Sequence, residues 1–206
     1  MIAVRKTPIA RKISMKKLLI TGFDPFGGET INPAWEAVKL LPDSIGSCTL
    51  HKLQIPTVFA LAADTVLQAA AVWNPDIIIC VGQAGGRSAV TPERIAVNIQ
   101  DARIADNAGN MPGGQPIIPE GPAAYFSTLP VAEMAQAILD ANLPASVSNT
   151  AGTFVCNDTL YRLLHHYAGT KTKVGFIHVP YLPEQGTPNL PLSDTVSALC
   201  TAISVL

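Results

Sequence analysis

The sequence predicts an α/β fold: a single three-layer α/β/α domain with a largely parallel, twisted sheet. Three observations carry this. Short apolar, strand-like runs alternate with helix-like stretches along the chain, as in parallel sheets covered by helices on both faces. One run, Ile77-Ile78-Ile79-Cys80-Val81, is apolar at every position, the mark of a strand buried on both sides. Finally, 206 residues with 48% apolar and 14% charged side chains can fill one substantial core and are not disordered.

In chain order, Lys17 to Thr21 reads as a buried strand, and a Gly/Pro-rich loop follows to Gly28. Asn32-Pro33 is a helix start, an N-cap followed by proline at the first helical position, and the helix runs to about Leu41. Cys48 to Leu53 reads as a second strand. Val58 to Val72 is helical, and Asn74-Pro75 ends it. The strand at Ile77–Val81 comes next, then a strand candidate from Arg94 to Ile99. Residues 104 to 129 are rich in Gly, Pro and Asn and read as one long loop, a length that marks function or an interface. Val131 to Ala141 is expected to be helical and Ser146 to Ser148 a short strand. A helix follows Cys156, then the strand Lys173 to His178. Pro183 to Pro191 is a second proline-rich loop, and Asp194 to Val205 closes the chain as an apolar helix. No internal repeat or interdomain linker is visible.

Charge and cysteine usage exclude several classes. The formal net charge is −1, so no global charge attracts nucleic acid or a membrane surface. No stretch approaches the roughly 20 apolar residues of a membrane span. Six of the 14 basic residues (Arg5, Lys6, Arg11, Lys12, Lys16 and Lys17) precede the first acidic one, Asp24. Residues 1–14 are read as a disordered N-terminal extension, with the fold spanning 15–206. A targeting segment or a basic binding arm are the other readings of that start. The four cysteines form no C-x-x-C pair, and no His/Cys group has zinc-like spacing, so no metal and no cofactor are expected. A reducing, cytoplasmic setting fits this usage.

Chemistry concentrates in Ser148-Asn149-Thr150-Ala151-Gly152-Thr153-Phe154-Val155-Cys156-Asn157-Asp158. This stretch turns through small residues and delivers Cys156 just before a helix-like run, Thr159 to Leu164. A helix start offers unpaired N–H groups and partial positive charge, which bias a thiol toward the nucleophilic thiolate. An inert, buried cysteine is the commoner fate of this residue type. Cys48, Cys80 and Cys200 lack the turn-then-helix setting and read as packing residues. His178 ends an apolar strand and can carry protons near neutrality. As an acidic partner, sequence physics does not choose among Glu93, Asp24, Asp101, Asp106 and Asp158. Strand ends gather ligand sites in open α/β sheets. The loops after Gly22 and Gly82, the Cys156 turn and His178 can therefore meet at one edge.

Three segments resemble the pyroglutamyl peptidase type I family, the pyrrolidone-carboxylate peptidases. They are Thr21-Gly22-Phe23-Asp24-Pro25-Phe26-Gly27, Gly82 to Asn98 with its Pro92-Glu93-Arg94-Ile95-Ala96-Val97-Asn98 end, and the Cys156 turn with Val174-Gly175-Phe176-Ile177-His178. The resemblance runs from about Lys17 to the C-terminus. It implies a cysteine exopeptidase, an omega-peptidase that removes N-terminal pyroglutamate from peptides through a thioester acyl-enzyme. It implies Cys156 as nucleophile, His178 as acid and base, and Glu93 as the group that orients His178. It also implies that Arg103 helps to stabilise the oxyanion; a salt bridge to Asp101 or Asp106 is the alternative. The backbone N–H of Cys156 is the natural second donor. Phe23, Phe26, Gln83, Phe154 and Val155 are implied as the substrate pocket, with Thr57 and Ile104 as additions. The lactam is flat and lacks a charged amine. Phe23 and Phe26 could sandwich it, and Gln83 offers it a donor and an acceptor. Similar proteins are homo-oligomers, dimers or tetramers.

Other readings remain at this point. The chain could be a different Cys-dependent hydrolase of small amides, or a catalytically silent binding protein on the same fold. A nucleoside-phosphorylase-like reading finds no phosphate-binding cluster. Gly82, Gly85 and Gly86 do not follow the dinucleotide fingerprint.

Overall fold

A computed structural model describes residues 15–206; the expected extension at 1–14 lies outside them. Its strands are β1 (Lys16–Phe23), β2 (Ser44–Ile45), β3 (Cys48–Ile55), β4 (Ile77–Gln83), β5 (Thr91–Pro92), β6 (Ile95–Val97), β7 (Gln100–Asp101), β8 (Gly113–Gln115), β9 (Ala124–Phe126) and β10 (Lys173–Val179). Its helices are α1 (Pro33–Leu40), α2 (Leu61–Trp73), α3 (Val131–Asp140), α4 (Val155–His166) and α5 (Leu192–Ser204). The main sheet runs β2-β3-β1-β4-β10-β5. β3, β1, β4 and β10 are parallel, while β2 and β5 are antiparallel edges.

Side-chain parity sorts the core into two layers. Leu18 and Ile20 of β1, Ile77, Ile79 and Val81 of β4, and Ile177 and Val179 of β10 pack with α1, α3 and α5. Leu19, Ile78, Cys80, Val174 and Phe176 point the other way, toward α2 and α4. The expected three-layer α/β/α architecture with a largely parallel sheet is therefore present. Gly22 lets α1 close on β1: a Cβ there would stand 2.6 Å from the Trp35 Cα.

Local chemistry sets several boundaries. Asn32 caps α1, its side chain accepting from the Ala34 N–H at 3.0 Å, with Pro33 at the first helical position. α2 begins at Leu61, three residues later than its pattern predicts. The preceding N–H groups of Phe59 and Ala60 are held instead by the carboxylates of Asp106 and Asp158, both at 2.9 Å. α5 begins two residues earlier than predicted, directly after Pro191. Residues 104–129 are not one loop. They contain β8 and β9, which pair antiparallel with β7 and β6. The strand expected at Ser146–Ser148 is reduced to isolated parallel bridges, Val90 with Ala145 and Glu93 with Ser148.

Candidate active site

Parity also places the chemistry. His178 follows Val174 and Phe176 on the α4 side of β10, and its register partner on β4 is Gly82. Cys156 comes down onto the same spot from α4. A Cβ at Gly82 would lie 2.9 Å from the Cys156 Sγ and 2.7 Å from the Phe176 ring. Glycine here gives the thiol its room beside the strand that carries the histidine.

The Cys156 turn is anchored on both sides. Thr153 and Asp101 exchange two hydrogen bonds, from the Thr153 hydroxyl at 2.8 Å and the Asp101 N–H at 2.9 Å. The fully buried Asn157 side chain accepts from the Val97 N–H at 2.9 Å and donates to the carbonyls of Val97 and Ile99. The helix begins at Val155, so Cys156 lies inside its first turn rather than ahead of it. The Asp158 N–H closes that turn on the Phe154 carbonyl at 3.1 Å. The N–H groups of Val155, Cys156 and Asn157 thus precede the first intrahelical bond.

Glu93 is completely buried, and its Oε1 accepts two bonds. One comes from His178 Nδ1 at 2.7 Å, the other from Arg87 Nη1 at 2.6 Å. Burial pushes the Glu93 carboxyl up, but His178, Ser148 and Arg87 together outweigh it and hold the group below its ordinary range. Burial lowers the His178 imidazole; the contact with Glu93 opposes this and Arg87 reinforces it. A neutral imidazole that donates from Nδ1 to a carboxylate keeps Nε2 as an acceptor. Burial, then the charge of Glu93, push Cys156 up to about 12, and Arg87 works against this. Desolvation and the start of α4 thus act on the thiol in opposite directions.

Cys156 and His178 open onto one cavity of about 380 Å³. Phe23, Phe26, Thr57, Gln83, Arg103 and Phe154 line it too. The two ends of its wall differ. Phe26 pairs with Phe154 at 6.0 Å between ring centres, whereas Phe23 leans on Phe176 at 6.1 Å and is almost wholly buried. Ile104 stands outside, on a neighbouring cavity that shares Phe26, Arg103 and Phe154. The Val155 side chain is in the core. Arg103 forms no ion pair among the described residues; Asp106, a proposed partner, is instead engaged by Phe59, Ala108 and Asn110. Gln83 is not free: its Oε1 accepts from Gln185 Nε2 at 3.1 Å, and Gln185 in turn accepts from the Leu182 N–H at 3.0 Å.

Two residues of this arrangement escaped the sequence reading. Arg87 could have been sought as a cation six positions from a buried acid. Gln185, in a loop far along the chain, carries no such signal. Among the described residues, no cluster of three or more His, Cys, Asp or Glu side chains could hold a metal, and no helix is long and apolar enough to cross a membrane. His165 is bound to the Tyr125 hydroxyl at 2.8 Å, away from the cavity.

Comparison with known proteins gives a consistent result. The chain is 56% identical over 197 residues to the pyrrolidone-carboxylate peptidase of Levilactobacillus brevis, covering 92% of this chain and 97% of that one. The crystal structure of Bacillus amyloliquefaciens pyroglutamyl peptidase I superposes with a TM-score of 0.89 at 48% identity, over 92% of this chain and 95% of that one. The pyrrolidone carboxyl peptidase from Thermococcus litoralis superposes at 0.88 with 37% identity, over 93% of each chain. The family model described as pyroglutamyl peptidase matches residues 16–206, and the chain belongs to that family.

Proposed function

We propose that this protein is a cysteine exopeptidase that removes N-terminal pyroglutamate from peptides. The observation that carries the reading is the convergence of Cys156 and the Glu93-bound His178 on one cavity, in a chain of this family. His178 Nε2 takes the thiol proton as Sγ attacks the pyroglutamyl carbonyl carbon. The tetrahedral oxyanion is met by the Cys156 N–H at the start of α4 and by Arg103. Collapse breaks the C–N bond, and the imidazolium gives its proton to the leaving amine. A thioester remains, which water hydrolyses with His178 again as base. Glu93 fixes the imidazole tautomer and stabilises its charge.

The cavity suits an uncharged five-membered lactam. Phe26 and Phe154 supply apolar wall. Gln83, held by Gln185 through its oxygen, has its amide N–H groups to offer the lactam carbonyl. Substrates are peptides and the working form is a homo-oligomer, readings that rest on the family resemblance; the cytoplasmic location rests on the cysteine usage. Sedimentation velocity measures the oligomeric state. The deciding assay is release of a chromophore from a pyroglutamyl amide, with a prolyl amide as control. Equal rates on both would direct the reading to a less selective amide hydrolase. No turnover of either by folded protein would favour a silent binding protein.

A further inference from the structure

The cation beside the candidate triad has a place of its own. Arg87 sits in the loop after β4, and its side chain is only 28% exposed. Its Nη1 reaches both Glu93 Oε1 at 2.6 Å and the Thr91 hydroxyl at 2.5 Å. Its Nη2 donates to the Thr150 carbonyl at 2.9 Å, within the turn that leads to Cys156. One guanidinium thus touches the orienting acid, the edge strand β5 paired with β10, and the nucleophile turn. A planar fork can hold such separate acceptors at fixed angles; an ammonium cannot.

We propose that Arg87 is a positioning residue that locks Glu93 onto His178 and ties this dyad to the nucleophile turn through Thr150. The inference rests on Cys156, His178 and Glu93 acting as proposed above. Both hydrogen bonds of the Glu93 carboxylate fall on Oε1, and Oε2 is buried with no partner among the described residues. With Arg87 gone, the bond from His178 and the nearby Ser148 hydroxyl would be left to hold a fully buried charge. The carboxylate could then rotate or take up a proton, and the imidazole would lose its fixed acceptor. The nucleophile turn would lose its link to the acid at the same time. Arg94, the neighbouring cation, cannot substitute, because its Nη1 is committed to Asn149 at 2.8 Å. The remaining titratable or charged groups at this place are Cys80 on β4, Cys156 on α4 and Arg103 across the cavity.

The test compares R87M, R87K and E93Q by kcat/KM against pH on a pyroglutamyl amide, with iodoacetamide alkylation against pH as a readout independent of turnover. Removing a positive charge raises the proton affinity of every group near it. Both limbs of the R87M profile should therefore move upward, by about one pH unit for a charge this close. Amplitude should fall about 10- to 100-fold, the scale for losing an outer partner of a functional histidine. R87K keeps the charge and loses the fork: its limbs should stay in place while kcat falls and KM changes little. R87M should cost little more in an E93Q background, because the two act through one imidazole. If R87M fails to fold, R87K decides: wild-type kcat there overturns the inference. So do unmoved limbs in folded R87M, or losses from R87M and E93Q that simply add. Full activity in Cys156→Ala would instead overturn the catalytic reading itself, a distinct result.

Discussion

Replacing Gly82 with alanine tests the site through its tightest contact. The added Cβ would stand 2.9 Å from the Cys156 Sγ and 2.7 and 2.9 Å from two carbons of the Phe176 ring. Ordinary carbon contacts lie near 3.5–4.0 Å, so the neighbours must retreat by about 1 Å. Phe176 has no room, being 1% exposed and packed against Phe23. The thiol, at the end of one rotatable bond, is the part that moves. Overpacking of this kind costs about 1–3 kcal/mol, which for a chain of this size lowers Tm by roughly 2–12 °C. The catalytic cost is larger, since a misplacement of about 1 Å is worth about 100-fold in rate. The assay is kcat/KM on a pyroglutamyl amide beside a thermal melt. Alkylation of Cys156 by iodoacetamide should also change, because the thiol is turned away from His178. Activity within about threefold of wild type and an unchanged Tm would refute the reasoning; the factor corresponds to under about 1 kcal/mol. It would mean that the thiol and β4 are farther apart than described.

Cys156→Ala should abolish turnover while the melt stays near wild type, whereas Cys80→Ala, in the core, should act through stability alone; retained turnover in the first would remove Cys156 from the mechanism. Glu93→Gln should reduce kcat less than His178→Ala, because an orienting group contributes less than the proton carrier; the reverse order, with both proteins folded, would invert the assignment. Gln83→Leu should lower kcat/KM for pyroglutamyl amides more than for prolyl amides, and Gln185→Leu should do the same more weakly by freeing Gln83 to rotate; an unchanged ratio in both would hand lactam recognition to backbone groups. Stability should decline on both sides of neutrality. The lowered His178 and Glu93 contribute stability present above their unfolded values and lost on acidification, first near pH 6.5 for the histidine and then through the carboxylate range. Cys156, raised from 9.0 to about 12, makes the fold lose stability as pH climbs through that interval, and Cys156→Ala should flatten the alkaline decline only in part because Cys80 behaves alike.

The sheet and its covering helices were legible because each element carries its own periodicity. β1, β4 and β10 are apolar runs, and Asn32-Pro33 announces α1 in two residues. The short strands β5, β7, β8 and β9 have two or three residues each, too few to show alternation. Their pairing is set by partners distant in sequence. The start of α2 was misplaced for a related reason: its end groups are held by Asp106 and Asp158, which no local window contains. At the site, the meeting of Cys156, His178 and Glu93 beside an aromatic wall could be expected from the family-like segments. The burial of the thiol could not. A helix terminus can be seen in a sequence, but the desolvation that opposes it depends on Gly82, Cys80 and Phe176 meeting in space. Only half of Arg87's place was legible: Glu93 lies six positions away, but Thr150 lies 63 positions away.

The two-sided sheet has a further consequence for engineering. His178 and Val179 are adjacent in the chain, yet one belongs to the reactive face and the other to the packing of α1 and α5. Deleting a single residue between Lys173 and Ile177 would exchange them. The imidazole would enter an apolar layer, and a valine would stand where a proton must be carried. Removing two residues would restore the facing but shift the histidine about 7 Å back along the strand, from the level of Gly82 to that of Cys80. Length changes in this protein are thus safest in loops that do not reach the cavity. Along β10 the count of residues matters as much as their identity, and a library that varies composition there should hold length fixed.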